Sequence, residues 1–232
     1  VNELRQTLVL FAREPVPGRV KTRLARLLTA EGASRLYRAF LEDACRVYAD
    51  PAWTCVVDAE PNPDVTDLAA IFPPPWRLER QAGGDLGARL TAAFDRERAL
   101  GAGVTLAVGS DHPALSRRSL RLLFERVARG KDAALIPARD GGYCAIALSS
   151  AVEPDTVFRD VPWSTPATLE ATLDRMKNAG LSVALGETAY DVDGPEDLEL
   201  LRSDLARRDP AEEDYPRATS AALALLPTGI PA

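Results

Sequence analysis

The sequence predicts an α/β fold, a three-layer α/β/α arrangement with a single, mostly parallel sheet. Three observations carry this. Short, continuous, β-rich apolar runs recur, and such runs mark strands buried on both faces. Segments of helical spacing separate them in near-regular β-α alternation, which calls for crossover connections. The 232 residues, 46% hydrophobic and 27% charged, suffice for one domain of this kind.

Thr7 to Ala12 (TLVLFA) reads as the first buried strand. A loop with two prolines and a glycine follows, then a helical stretch. The run Thr29-Ala30-Glu31-Gly32 precedes another helix from about Ala33 to Tyr48. Trp53 to Val57 is the second strand. Pro61, Pro63 and Pro73 to Pro75 punctuate a short helix near Val65 to Phe72. Trp76 to Arg80 alternates, as a short strand would. Leu86 to Leu100 is helical, with apolar positions at 86, 90 and 94. Val104 to Val108 is another buried strand, and Ser116 opens a helix to about Ala128. Ala133 to Pro137 and Tyr143 to Leu148 form strands joined by Arg139-Asp140-Gly141-Gly142, the one β-β step. Thr165 to Asn178 is helical and stops at Gly180. Leu181 to Leu185 is a strand, and Pro195 to Arg207 the last clear helix. Residues 1–210 read as one domain. Residues 211–232 read as a Pro/Ala-rich tail, either a short packed helix or a mobile end.

Composition excludes several chemistries. The chain has one histidine, three lysines and 25 arginines. A two-histidine metal site is impossible, and a Ser–His–Asp triad would have to use His112. The net charge of −6 argues against a general nucleic-acid binder. No apolar run approaches the ~20 residues that span a bilayer, so no membrane association is expected. The N-terminus shows no signal-peptide pattern. Cys45, Cys55 and Cys144 are widely spaced and odd in number, which fits buried thiols in a reducing cytoplasm. Charge is uneven. Arg13 to Arg38 holds seven basic and two acidic residues, whereas Glu187 to Asp214 holds eleven acidic and three basic.

In open α/β sheets, ligands bind outside the carboxyl ends of the strands. The first such loop carries Arg13, Arg19, Lys21 and Arg23 before a helix start, which suits a di- or triphosphate. It is not a Walker A loop, because Val20 rather than glycine precedes Lys21. An exposed basic loop is the plainer alternative, though two prolines and a glycine argue for a fixed shape. Gln81-Ala82-Gly83-Gly84-Asp85 is either a helix-capping turn or a close backbone approach to a base or sugar. Asp111 follows a buried strand, placed to hold a hard cation or to form an Asx-type turn before Pro113. Asp191-Val192-Asp193-Gly194-Pro195 has the form of a helix start, with Gly194 as N-cap and Pro195 at N1. That form does not require Asp191 and Asp193. If Asp193 faces Asp111, the pair makes a divalent-cation site opposite the basic loop. Asp140, Gly141, Gly142 and Tyr143 are candidates for substrate contact or a plain hairpin turn. Trp163 and His112 complete the substrate candidates, and Ser164 or Thr165 is a possible N-cap.

Six segments in order resemble the nucleotide-diphospho-sugar transferase superfamily, with its glycosyltransferase-A-type fold. They are FAREPVPGRVKTRL at 11–24, QAGGDLGARL at 81–90, GSDHPAL at 109–115, PARDGGYCAIAL at 137–148, PWST at 162–165 and DVDGPEDL at 191–198. More narrowly, the chain resembles the arsenosugar-biosynthesis glycosyltransferases, also called radical-SAM/selenodomain-associated transferases. The resemblance implies phosphate or nucleotide contacts at Ala12, Arg13, Gly18, Lys21 and Arg23, and base or ribose contacts at Gln81, Gly84 and Asp85. It implies catalytic roles for Lys21 and Asp111, and Mg²⁺ or Mn²⁺ on Asp111 and Asp193. Gly194 and His112 depart from the family pattern, where threonine and a small residue are usual. The expected partners are a nucleotide or nucleotide sugar and a small-molecule acceptor. Glycosyl transfer from a nucleoside-diphosphate sugar ranks narrowly first. Nucleotidyl transfer from a nucleoside triphosphate to a phosphorylated small molecule is the alternative, and the KTRL run also occurs in guanylyltransferases of deazaflavin-cofactor biosynthesis. A non-catalytic nucleotide sensor is a third class, but it would not need both aspartates.

Overall fold

A computed structural model describes residues 4–60 and 67–226. Seven strands form one sheet in the order β3-β2-β1-β4-β6-β5-β7. In chain order these are β1 (Gln6–Ala12), β2 (Thr54–Ala59), β3 (Arg77–Arg80), β4 (Val104–Gly109), β5 (Ala133–Pro137), β6 (Tyr143–Ser149) and β7 (Val183–Leu185). Only β6 runs antiparallel to its neighbours, β4 and β5. The tight turn at 138–142 causes this, since a hairpin reverses the chain where a crossover would not.

The strand residues sort by parity, as the pleat requires. Leu8, Leu10, Leu106, Val108, Ala134 and Ile136 face one layer of the core. Helices α1 (Ala25–Val47), α4 (Arg117–Ala128) and α7 (Pro195–Leu205) cover that face through Leu36, Phe40, Leu120, Phe124 and Leu201. Ala107, Leu135, Ile146 and Leu148 face the other way. They meet Leu90 and Phe94 of α3 (Leu86–Ala99), Phe158 of α5 (Pro154–Phe158) and Met176 of α6 (Thr168–Asn178). The three-layer expectation is borne out.

Local departures have local causes. The helical stretches on either side of Thr29 join as one kinked helix, with Thr29 itself at φ 65, ψ 166. α2 spans Asp67–Ile71, and the expected start of that helix at Val65 lies outside the described residues. Neither Ser164 nor Thr165 caps α6, whose N-cap is Ala167. The segment after Pro210 contributes α8 (Arg217–Ala224), which packs on α1. The Asp43 carboxylate of α1 accepts the N–H groups of Ala218 at 3.1 Å and Thr219 at 2.7 Å, satisfying two donors at the N-terminus of α8. All three cysteines are unpaired. No helix among the described residues is long and apolar enough to cross a membrane.

Candidate active site

β1 lies between β2 and β4, so successive crossovers leave it in opposite directions and a crevice opens above its carboxyl end. A cavity of about 510 Å³ occupies that crevice. Five basic side chains line it (Arg13, Arg19, Lys21, Arg23 and Arg89) against two acidic ones, Asp111 and Asp193. A cavity of that balance suits a multiply charged anion.

The basic loop has a fixed shape. Arg19 N–H donates to the Val16 carbonyl at 3.0 Å, closing a turn around Pro17 and Gly18, with Gly18 at φ 77. Val20 and Leu24 are buried as anchors. The Ser34 hydroxyl of α1 donates to the Pro15 carbonyl. Tyr37, also on α1, accepts the Arg13 N–H at 3.0 Å and shares a hydrogen bond with Ser110 at 2.8 Å. One tyrosine thus ties the basic loop to the end of β4. Its burial, and then the negative charge of Asp111, push its phenol well above the usual range.

Lys21 sits at the centre. Its ammonium pairs with Asp111 Oδ1 and, at 2.8 Å, with Asp193 Oδ1. The lysine side chain is 4% exposed, whereas Asp111 and Asp193 are 43% and 42% exposed. The cation therefore lies beneath the two acids, which face the cavity. Burial pulls the Lys21 pKa down, but the two carboxylates outweigh it and the net shift is upward. Burial likewise opposes ionisation of Asp193, and the charge of Lys21 outweighs it, holding that carboxyl below the usual range. The backbone brings the acids together: the Val192 N–H donates to the Asp111 carbonyl at 3.0 Å. The helix start is as expected, with Gly194 as N-cap and Pro195 at N1. The Asp197 carboxylate accepts the N–H groups of Asp193 and Gly194, at 3.1 and 2.7 Å. Asp191 stands behind this pair, its carboxyl pushed up to about 6 by burial and by the charge of Asp193.

On the opposite side, two of the lining arginines pair with Glu60, which does not itself line the cavity: Arg13 at 3.2 Å and Arg89 at 3.6 Å. Gln81 is buried. Its amide N–H donates to the Asp58 carbonyl at 2.8 Å and its oxygen accepts from Arg89 at 3.3 Å. Asp85 is the N-cap of α3, accepting the Ala88 N–H at 2.8 Å. Gly84 precedes it at φ 98, a conformation that favours glycine.

Other candidates lie elsewhere. His112 does not line this cavity. It is buried, with Nδ1 3.2 Å from the Tyr190 carbonyl, and burial lowers its pKa. Asp140 accepts the Gly142 N–H at 2.9 Å in the β5–β6 turn. Gly141 sits at φ 89, and a Cβ there would collide with the Pro166 carbonyl oxygen. Tyr143 and Trp163 stack edge to face at 6.2 Å in the aromatic cluster with Phe158. Ser164, not Trp163, reaches the cavity. Sequence reasoning did not single out Tyr37, Thr22, Arg89 or Ser110. Arg89 had a signal, because it lies one helical turn beyond Asp85 in the QAGGDLGARL segment.

Residues 43–165 match the model of a family described as an uncharacterized protein conserved in bacteria, DUF2064. The chain belongs to this family. Among curated proteins, none matches it. A crystal structure from Desulfovibrio desulfuricans G20, provisionally named a nucleotide-diphospho-sugar transferase, is 26% identical with a TM-score of 0.83. The match covers 94% of this chain and 96% of that one. A cytidylyltransferase from Leptospira borgpetersenii serovar Hardjo-bovis (strain JB197) shares the fold at 12% identity and a TM-score of 0.59, over 96% and 94% of the two chains. So does CMP:2-keto-3-deoxy-manno-octonic acid synthetase complexed with CTP, at 15% identity and a TM-score of 0.52, over 88% and 99%. The DUF2064 chain thus has the nucleotide-diphospho-sugar transferase fold, and the superfamily expected from its six segments is borne out.

Proposed function

We propose that the protein is a nucleotide-utilising transferase, and that its reaction is nucleotidyl transfer to an anionic acceptor. The observation that carries this is the cavity itself, with five basic side chains around a single pair of acids. The nucleotide triphosphate lies against loop 13–23, with Arg13, Arg19 and Arg23 around the phosphates. An acceptor phosphate or phosphonate oxygen attacks the α-phosphorus. The bond to the bridging α–β oxygen breaks, and pyrophosphate leaves into the basic loop.

The chemistry of the acceptor separates this from glycosyl transfer. A neutral sugar or alcohol acceptor must lose a proton, and a positioned base assists that loss. Both acids of the cavity, among the described residues, are committed as a pair to holding a cation, Lys21 in this structure. A phosphate or phosphonate nucleophile is already ionised and needs no base. Glycosyl transfer remains the second reading, supported by the name of the 26% identical structure.

Asp111 and Asp193 fit a hard divalent cation: two carboxylates converge on one point that a cation already occupies and open onto a cavity suited to phosphate. Among the described residues no group of three or more His, Cys, Asp or Glu side chains could hold a metal ion. A pair of carboxylates on its own suits Mg²⁺, which takes one or two carboxylates and completes its shell with water and substrate phosphate. Bound there, the ion would supply charge neutralisation for the phosphates.

The test is a thermal-shift series of nucleoside triphosphates against nucleotide sugars, with and without Mg²⁺. Triphosphates should raise the melting temperature more, by linkage. Stabilisation by nucleotide sugars alone would transfer the assignment to glycosyl transfer. Stabilisation by neither class would end the nucleotide reading.

A further inference from the structure

Resting on the nucleotide reading of the same cavity, we propose that Lys21 is the resident cation of the Asp111–Asp193 pair and makes divalent-metal loading depend on nucleotide. Two like-charged carboxylates have been brought together from the end of β4 and the start of α7. The Val192 N–H to the Asp111 carbonyl ties their backbones at 3.0 Å, and one ammonium joins their side chains, at 2.8 Å from Asp193 and in contact with Asp111. That ammonium offsets one of their two negative charges. A divalent cation approaching the two acids meets a half-neutralised pair with a like charge directly beneath it. Mg²⁺ gives up its water reluctantly, so this is a poor exchange for it.

Lys21 has a resting place and a route away from it. The rings of Phe40 and Tyr37 lie 5.8 and 6.0 Å from its ammonium, a distance at which aromatic faces attract a cation. Its stem is four carbons long and flexible. Its backbone sits at φ 45, an uncommon conformation for a residue with a side chain. Lys21 is also a wall of the cavity that contains the basic loop. A triphosphate bound along that loop brings several negative charges to the same ammonium and draws it off the acids. The pair then regains its full charge and takes the metal. Metal and nucleotide accordingly bind with positive coupling, and Lys21 is the coupling element.

The measurement is Mn²⁺ binding followed by the loss of its free-ion EPR signal, on the full chain. Wild type without nucleotide should bind Mn²⁺ weakly, and a nucleoside triphosphate should tighten it about 10- to 100-fold, the range of ordinary coupling energies. Lys21→Met should bind Mn²⁺ more tightly than wild type without nucleotide, and lose most of the tightening. Nucleotide-free binding no tighter in Lys21→Met than in wild type would overturn the proposal, as would unchanged coupling. A second measurement needs no fold-perturbing variant. The chain has three lysines, so ¹³C-lysine labelling gives three side-chain signals, and the shielded one is Lys21. That signal should move when nucleotide and Mg²⁺ are added together and stay still with Mg²⁺ alone. A shift with Mg²⁺ alone would also overturn it. If no nucleotide stabilises wild type, the functional reading fails separately, and the nucleotide-free Mn²⁺ comparison still decides whether Lys21 holds the metal out.

Discussion

Two clusters of opposite charge lie in this molecule, and their surroundings differ. At the carboxyl ends of the strands, Lys21 is sunk beneath two acids that are nearly half exposed. On the α3 side of the sheet, the order is reversed. There the acids are enclosed, with Asp58 of β2 at 1% and Glu97 of α3 at 0% exposure, and the arginines reach outward. Arg96 joins both acids, at 2.8 Å to Asp58 and 2.9 Å to Glu97, and Arg77 of β3 adds a second contact to Glu97. The enclosed cluster pins α3 to the edge of the sheet, with its acids shut off from solvent. The open one presents its acids to a cavity. Ion-pair chemistry alone does not mark a functional site; which partner faces the ligand does.

Substitutions should separate the two clusters sharply. Asp111→Asn should cost about 10²–10³-fold in turnover, the usual loss when a group aimed at reacting charge is removed. Its melting temperature should stay near that of wild type. Turnover at the wild-type rate would take Asp111 out of the chemistry and erase the contrast. Glu97→Gln should do the reverse, costing about 1–3 kcal/mol of stability because it removes the enclosed charge that two arginines pair with, while nucleotide affinity holds. Urea unfolding reads the first and titration of nucleotide the second; equal stability would mean the enclosed cluster pins nothing.

The smallest effect belongs to a third, half-buried arrangement. The Asp132 carboxylate accepts the Ser182 N–H and hydroxyl, both at 2.7 Å, and these bonds hold its pKa below the ordinary value. Its contribution is present above the unfolded pKa of about 3.9 and disappears as pH falls through the lower folded value. Asp132→Asn should flatten part of the acid limb of the stability profile. An acid limb identical to wild type would show that β7 is not fastened there.

The fold was legible because its signals are local. The buried strand runs, the Thr29 break and the β-β step at Asp140 all depend on near neighbours in the chain. The ends of the site were legible too, since basic and acidic segments flank strand ends. Their pairing was not. Lys21 reads as a phosphate ligand and Asp193 as a metal ligand, and nothing in either segment reveals that they touch across 172 positions. Scarcity drew attention to His112, but its ring turns to the Tyr190 carbonyl, a partner 78 positions away. Tyr37 was invisible for a related reason. It falls on the apolar stripe of α1, where a tyrosine looks like core, and only the folded chain shows its hydroxyl reaching Arg13 and Ser110.

The grip of α8 on α1 bears on how the protein is made. Asp43 is 3% exposed, and its charge is met by backbone groups 175 and 176 positions later. Arg46, a turn further along α1, donates to the Glu213 and Tyr215 carbonyls. During synthesis, the first strands and α1 leave the ribosome long before these partners exist. Until they emerge, α1 has a bare outer face and a carboxylate awaiting burial. Yet α1 carries Tyr37 and Phe40, which border the cavity lysine. A nascent chain stopped short of Tyr215 would already hold every residue of the pocket while α1 lacked its outer brace, so the loop that Tyr37 ties down reaches working order only when α8 has docked.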